Sequence, residues 1–333
     1  MIRPAMRLLL PAALLAGPLL APSLAAAQAP PLSLVLPIQC RVGVDCEIQN
    51  YVDRDPGPGA RDYQCGTRSY QGHDGVDFRL PTLARQRQGV AVLAAADGRV
   101  VRLRDGVADV SVRTTGTSAV EGRDCGNGVV IRHEGGFETQ YCHLAKGSIG
   151  VKAGDPVKAG DVIGRVGLSG RTEYPHLHFI VRQARTLVDP FAYGAPEGAC
   201  QAGLSLWEPG LRAALAYKPR SVLNSGFAGQ ALSMDAIDEG PEAPTPEAAA
   251  LVAYARAIGL KAGDVQTVTL KGPDGAVLAS STAERLSRDQ AQNLVFVGVR
   301  RPVEGWARGR YTGEYVVRQG GRAVLHRTFE FML

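Results

Sequence analysis

Hydrophobic positions along this chain recur in short runs broken by glycine-bearing turns. From His73 to about Phe191 these runs are Val90–Ala95, Gly98–Leu103, Gly128–His133, Glu138–His143 and Leu177–Val181. Runs of this length between turn residues predict β-strands, and no stretch of helical period competes with them. Glu134-Gly135-Gly136 predicts the turn between two of the strands. Val151-Lys-Ala-Gly-Asp155 recurs as Val157-Lys-Ala-Gly-Asp161, and each copy predicts a tight corner at its Gly-Asp pair. Residues 28–72 are rich in Pro, Gly and Asp and predict irregular structure.

The pattern breaks near 199–222, where Trp207-Glu-Pro-Gly and Lys218-Pro interrupt it, and a second β unit follows over 223–333. Gly272-Pro-Asp-Gly275 sits between the runs Val265–Lys271 and Ala276–Ala279, and Gln319-Gly-Gly321 between Tyr311–Arg318 and Arg322–Phe331. Both predict hairpins. The Ala-rich stretch Glu247–Leu260 fits a helix or a buried strand and is read as strand, and the acidic, Pro-rich run Glu239–Glu247 as a loop. This second unit predicts a small immunoglobulin-like β-sandwich.

Composition changes the picture at the N-terminus. Arg3 and Arg7 precede an apolar run from Leu8 to about Leu20, then come Ser23 and Ala25-Ala-Ala27. That is the order of a secretory signal peptide with a cut after Ala27, and Pro11, Gly17, Pro18 and Pro22 argue against a membrane-spanning helix. Export makes disulfides the expected state of the six cysteines. Cys40 and Cys46 can close a short loop, Cys125 and Cys142 flank the 134–136 turn, and Cys65 and Cys200 remain, although six cysteines allow many pairings. A cysteine zinc site lacks its close Cys-x-x-Cys pairs. The net charge of +5 is spread along 333 residues without a basic block, which excludes a nucleic-acid partner.

Candidate chemistry concentrates in four of the six histidines. His176 and His178 stand two apart in an apolar run, so both imidazoles share one face of a strand. His73 and Asp77 add an imidazole and a carboxylate, with Gly75 letting the chain bend between them. Nitrogen ligands with one carboxylate suit zinc; an all-oxygen set would suit calcium or magnesium. His143 lies at another strand end. His133 reads as structural, His326 as an ordinary surface or strand histidine, and Asp74 as solvated and turned away from Asp77.

The motifs His73-Asp-Gly-Val-Asp77, Thr139-Gln-Tyr-Cys-His143 and Pro175-His-Leu-His178, in this order, resemble those of the lysostaphin-type (LytM-type) peptidoglycan endopeptidases over residues 70–192. The resemblance implies an all-β fold, with a small antiparallel β barrel-sandwich peptidase domain of the duplicated hybrid motif type. It implies one zinc per chain held by His73, Asp77 and His178, with His143 and His176 catalytic. The implied reaction is hydrolysis of amide bonds in peptidoglycan cross-link peptides by a zinc-bound hydroxide. Two departures stand out. The turn Ser169–Pro175 is longer and more charged than the family's, and Cys142 replaces a small residue, so that a bond to Cys125 would brace the His143 strand.

The expected organisation is a signal peptide over 1–27, a disulfide-stapled segment over 28–72, a peptidase domain over 73–198, a linker over 199–222 and an accessory sandwich over 223–333. The expected location is exported, with the periplasm ahead of full secretion. Loops 53–72, 104–127 and 169–175 are the expected groove walls. No membrane span is expected after signal cleavage, and the C-terminal domain is a candidate site for a wall-associated protein partner. The alternatives are a non-catalytic activator of other wall hydrolases and a secreted endopeptidase acting on glycine-rich proteins.

Overall fold

The computed structural model describes Met1 and residues 30–333; the expected signal peptide, Met1 apart, lies outside the described residues. Among the described residues no helix is long and apolar enough to cross a membrane. The strands are β1 (Glu47–Ile48), β2 (Val76–Arg79), β3 (Ala91–Leu93), β4 (Gly98–Arg104), β5 (Asn127–Arg132), β6 (Phe137–Leu144), β7 (Pro156–Val157), β8 (Val162–Arg165), β9 (His176–Gln183) and β10 (Thr186–Val188). They are followed by β11 (Ser221–Ala228), β12 (Ala250–Leu260), β13 (Val265–Lys271), β14 (Val277–Thr282), β15 (Gln290–Arg300), β16 (Arg310–Gln319) and β17 (Arg322–Met332). Three short α-helices interrupt them: α1 (Leu83–Arg87), α2 (Val112–Thr115) and α3 (Met234–Glu239). Mostly β structure with few helices is therefore what the alternating runs produce.

An eight-stranded antiparallel sheet runs in the order β1-β2-β9-β6-β5-β4-β7, with β10 added to β9, and β3 pairs with β8 beside it. Its buried face is built by Phe78, Val129, Ile131, Tyr141, Leu177 and Phe179. Burial of each such side chain stabilises the fold by roughly 1.5–3 kcal/mol. The irregular segment before β2 is not a loose leader: Leu34, Ile38, Tyr51 and Val52 are buried in the same core. The repeated pentapeptides form repeated corners. Asp155 accepts from the Lys152 amide at 2.8 Å and Asp161 from the Lys158 amide at 2.7 Å, with Gly154 and Gly160 in the left-handed region.

Residues 221–333 form a three-stranded sheet, β11-β12-β15, and a four-stranded sheet, β14-β13-β16-β17. Leu251, Ala253 and Ala255 of β12 pack against Val268 of β13 and Tyr311 and Tyr315 of β16, so the two sheets share an apolar interior. The Ala-rich stretch is a strand because both its faces are buried, which also explains its lack of polar alternation. The strands β11 and β15 and the helix α3 were not anticipated from the sequence, and α1 and α2 interrupt a region in which only strands were expected. The disulfides are Cys40–Cys46, Cys65–Cys200 and Cys125–Cys142.

After β10 the chain turns on Asp189, whose Oδ1 accepts from the Phe191 amide at 2.9 Å while its buried Oδ2 finds no partner among the described residues. Burial pushes this carboxyl up to about 7, against the Phe191 hydrogen bond and the charge of Arg54. The unfolded chain thus ionises Asp189 first, and stability is lost as pH rises from about 4 to about 7. Asp189→Asn keeps the Oδ1 acceptor and removes the titration. Wild type should therefore lose about 2–3 kcal/mol relative to Asp189→Asn between pH 5 and pH 8. Parallel denaturation curves at the two pH values check this; an unchanged gap refutes it.

Candidate metal centre

The antiparallel register of β2 and β9 puts Asp77 opposite His178 and Arg79 opposite His176. All four face one side of the sheet because residues two apart on a strand share a face. On the next strand, Cys142 of β6 stands opposite His178, which brings His143 to the same end. His73 arrives from the loop before β2. Gly75 is required there by close approach: a Cβ would lie 2.7 Å from His178 Cε1 and 2.8 Å from the Phe179 carbonyl oxygen. Packing against the His178 ring, rather than a bend, is what demands glycine at this position.

His73, Asp77 and His178 come together. His73 Nε2 lies 3.2 Å from His178 Nδ1 and 3.2 Å from Asp77 Oδ2, and His178 Nδ1 lies 2.8 Å from Asp77 Oδ1. Zinc–ligand bonds of about 2.0–2.2 Å in a tetrahedron set neighbouring donors roughly 3.3 Å apart. One donor atom from each of the three residues lies within 4.8 Å of the others, close enough for a single metal ion to reach all three, and the donor types suit zinc. The trio is mostly buried, with His73 and Asp77 each 2% exposed.

Hydrogen bonds select the ring nitrogens. His73 Nδ1 donates to the Tyr51 carbonyl at 2.7 Å, and His143 Nδ1 to the Ser169 carbonyl at 2.8 Å. His176 Nδ1 lies 3.0 Å from the Tyr174 carbonyl and 3.1 Å from Thr172 Oγ1. Each of these rings thus keeps its Nε2 for the site. His178 is reversed: its Nε2 meets Asp74 Oδ1 at 3.1 Å, and Nδ1 faces inward. Asp74 is therefore not merely solvated as expected. Its other oxygen accepts from Arg182 Nη2 at 3.0 Å, and Arg182 Nη1 donates to Gln140 Oε1 at 2.9 Å. A carboxylate on the outer nitrogen of a ligating histidine is a recurrent way to orient it.

Asp77 is gripped from the N-terminal segment: Asn50 Nδ2 donates to its Oδ2 at 2.9 Å, and the Asp77 amide donates to the Asn50 carbonyl at 2.9 Å. Burial opposes the charge of Asp77, but His73 and His176 outweigh it and hold the carboxyl well below its usual range. His178 shows the same balance. Burial disfavours its charge, yet the hydrogen bonds and charges of Asp74 and Asp77 push it up to about 9. A ring between two carboxylates keeps both protons unless a cation displaces the inner one. His143 goes the other way: burial, then the positive potential of His176 and His178, holds it well below the usual histidine value, so it is neutral at pH 7.

His143 and His176 stack beside the trio with ring centroids 4.6 Å apart. His143 carries φ = 64°, a left-handed conformation that costs roughly 1–3 kcal/mol in a non-glycine residue. The fold holds it there through the Cys125–Cys142 disulfide, the His143 amide bond to the Cys125 carbonyl and the Gly167 amide bond to the His143 carbonyl, both 2.9 Å. His133 lies apart, buried between the Asp97 carbonyl and Thr139 Oγ1, each 2.7 Å away. His326 pairs with Glu314 on the C-terminal sheet.

The trio opens into a cleft of about 1070 Å³, lined in part by Tyr70, Val112, Asp124, Arg171 and Glu173 from the loops expected to form walls. Gly259, Leu260 and Asp289–Gln292 of the C-terminal sheets also line it. No local sequence signal marks Asn50, Asp74, Arg182 or this far wall, because each reaches the site through a long-range contact.

Clustered, tautomer-fixed histidines with a buried carboxylate, at the floor of an open cleft, form a group that could hold a metal ion. Residues 71–190 match the model of Peptidase family M23. The chain thus contains an M23 peptidase domain of the lysostaphin/LytM type. It is 36% identical over 126 residues to the DD-carboxypeptidase/endopeptidase Mpg of Neisseria meningitidis serogroup B, a match covering 37% of this chain and 23% of that protein. The peptidoglycan DD-endopeptidase ShyB of Vibrio cholerae serotype O1 is 33% identical over 37% of this chain and 24% of its own length. The cell division protein DipM of Caulobacter vibrioides is 34% identical over 36% of this chain and 16% of its own. The chain thus spans a quarter or less of each of these relatives.

The Cys125–Cys142 bond closes a loop of sequence separation 17. Replacing both cysteines by serine should cost about 3 kcal/mol. The expected result is a lower denaturation midpoint; an unchanged midpoint would show that the bond does not stabilise the fold.

Proposed function

We propose that this chain is an exported zinc metalloendopeptidase that hydrolyses amide bonds in the cross-link peptides of peptidoglycan. The observation that carries this reading is the mostly buried His73–Asp77–His178 trio, its donor atoms within reach of one metal ion, with His143 and His176 beside it. The names of the relatives Mpg and ShyB support the substrate class. The three disulfides support export to an oxidising compartment such as the periplasm. A role restricted to binding would not need both the trio and the two further imidazoles.

His73 Nε2, Asp77 and His178 Nδ1 would hold one zinc. Zinc bound there lowers the pKa of a water to about 7 and polarises the scissile carbonyl. His143, neutral and with Nε2 free, accepts the proton of the attacking water and passes it to the leaving amine. His176, its Nδ1 fixed by Tyr174 and Thr172, turns Nε2 toward the site, 3.4 Å from Asp77 Oδ1. In its doubly protonated form the ring donates Nε2–H to the oxygen of the tetrahedral intermediate. Residues 73–198 form the peptidase domain in this reading, built as a β barrel-sandwich. Residues 223–333 form the immunoglobulin-like accessory domain, and 28–72 the stapled segment that grips His73 and Asp77.

Digestion of purified sacculi by residues 28–333 tests the function. New peptide ends should form, vanish with chelator and return with zinc; intact sacculi in the presence of stoichiometric zinc would overturn the reading. His178→Ala should lose both zinc and activity, whereas His143→Ala should keep zinc and lose 10²-fold or more of turnover. Metal analysis beside kinetics separates the two variants. Asp74→Ala should weaken zinc binding by about 10–100-fold, measured by competition with a chromophoric chelator. Equal affinity in Asp74→Ala would remove Asp74 from the support of His178.

A further inference from the structure

The cleft has a wall that the peptidase domain does not supply. Asp289, Gln290, Ala291 and Gln292, at the start of β15, line the same cleft as the histidine trio. This wall is held in register. Arg79 Nη2 donates to Gln292 Oε1 at 3.0 Å, Gln49 Nε2 to the Ala291 carbonyl at 3.3 Å and Thr67 Oγ1 to Asp289 Oδ2 at 2.8 Å. Two buried arginines lock the junction from opposite sides. Arg79 of β2, 1% exposed, reaches Gln292, and Arg256 of β12, fully buried, reaches the Pro81 carbonyl and Asp238. Each guanidinium thus makes one hydrogen bond across the junction, to Gln292 and to the Pro81 carbonyl, and separating the sheets would break both. The C-terminal sheets are therefore docked as part of the cleft rather than carried on a tether.

The face that β15 presents is specific. Gln290 and Gln292 are two apart on a strand and share one side. Gln292 Oε1 points at Arg79, so that side looks into the cleft. The Gln292 amide nitrogen and the whole Gln290 carboxamide have no hydrogen-bond partner among the described residues. Two carboxamides at strand spacing, roughly 6–7 Å apart, match the repeat of an extended peptide, and each can both donate and accept.

We propose that Gln290 and Gln292 are specificity-determining residues that bind the backbone amides of an extended peptide segment of the substrate along the start of β15, making the C-terminal domain one wall of the substrate cleft. The proposal rests on the peptidase reading and adds what recognises the peptide. It assigns the C-terminal domain to substrate binding at the catalytic cleft and not to recruitment of a separate partner.

The test uses full-length protein and a soluble, purified cross-linked muropeptide dimer as probe, with kcat, KM, zinc content and melting temperature measured together. Gln290→Ala should raise KM about 3–10-fold, the loss of one hydrogen bond, with kcat unchanged. Gln290→Trp, which fills the wall, should lower kcat/KM by more than about tenfold. Zinc content and melting temperature should stay at the wild-type level, since Gln290 makes none of the junction bonds. Wild-type cleavage together with unchanged kcat/KM in Gln290→Trp would overturn the wall while leaving the peptidase reading intact. Wild-type protein that neither binds nor cuts the dimer would overturn both.

Discussion

The register between β2 and β9 is the constraint on which the site depends. Asp77 faces His178 and Arg79 faces His176 across one antiparallel ladder. A slip of one residue would turn one strand's pair to the opposite face and dissolve the constellation. The register is held from both sides of the ladder. Phe78, Leu177 and Phe179 are fully buried on the opposite face, and any slip would bring them to the polar side. The hydrophobic core thus specifies the polar site: the apolar half of each strand aligns the half that carries the chemistry.

Around that ladder, main-chain carbonyls orient the imidazoles. Tyr51, Ser169 and Tyr174 each take the Nδ1 proton of one ring, leaving three Nε2 atoms for the site, while Asp74 reverses His178. Backbone acceptors cannot rotate away, so the tautomers are settled before any substrate arrives, the kind of preorganisation on which electrostatic catalysis relies. Asn50 and Tyr51 belong to the irregular segment before the first motif. That segment is a support of the proposed metal ligands, and removing it would release His73 and Asp77 together. The left-handed His143 extends the same logic, with local strain held by a disulfide and two backbone hydrogen bonds at a proposed proton-transfer position.

The C-terminal sheets enter through charge as much as through shape. Asp238 on α3 meets Arg113 at 3.1 Å, and Arg113 meets Glu173 at 3.0 Å, so one carboxylate on the C-terminal side steadies two loops at the lip of the cleft. Exposed ion pairs contribute little, but this set is anchored at its centre by fully buried Arg256. The geometry of the cleft is consequently a property of the whole chain, although the family match covers residues 71–190 alone.

Most of the strand layout was legible in the sequence, because short apolar runs between glycine turns have few other ways to fold. His73, Asp77, His143, His176 and His178 were legible because motif spacing on strands dictates which side chains share a face. Loop size and turn position suggested Cys40–Cys46 and Cys125–Cys142, but the sequence left the full connectivity open, and the fold brings Cys65 to Cys200 across 135 residues. Other features required the tertiary structure. The residue Asp74 reads as solvent-facing in one dimension, yet the fold lays it against a histidine more than a hundred residues away. The glycine at 75 reads as a hinge but is demanded by a ring packed against its Cα. The strand β15 carries an apolar run, Leu294–Val299, but its polar start, Gln290–Gln292, becomes a cleft wall only when Arg79 and Arg256 reach across the junction. Local pattern records which residue types can act on one face of one strand. It does not record which distant surfaces meet, since that is decided by burial summed over the whole chain.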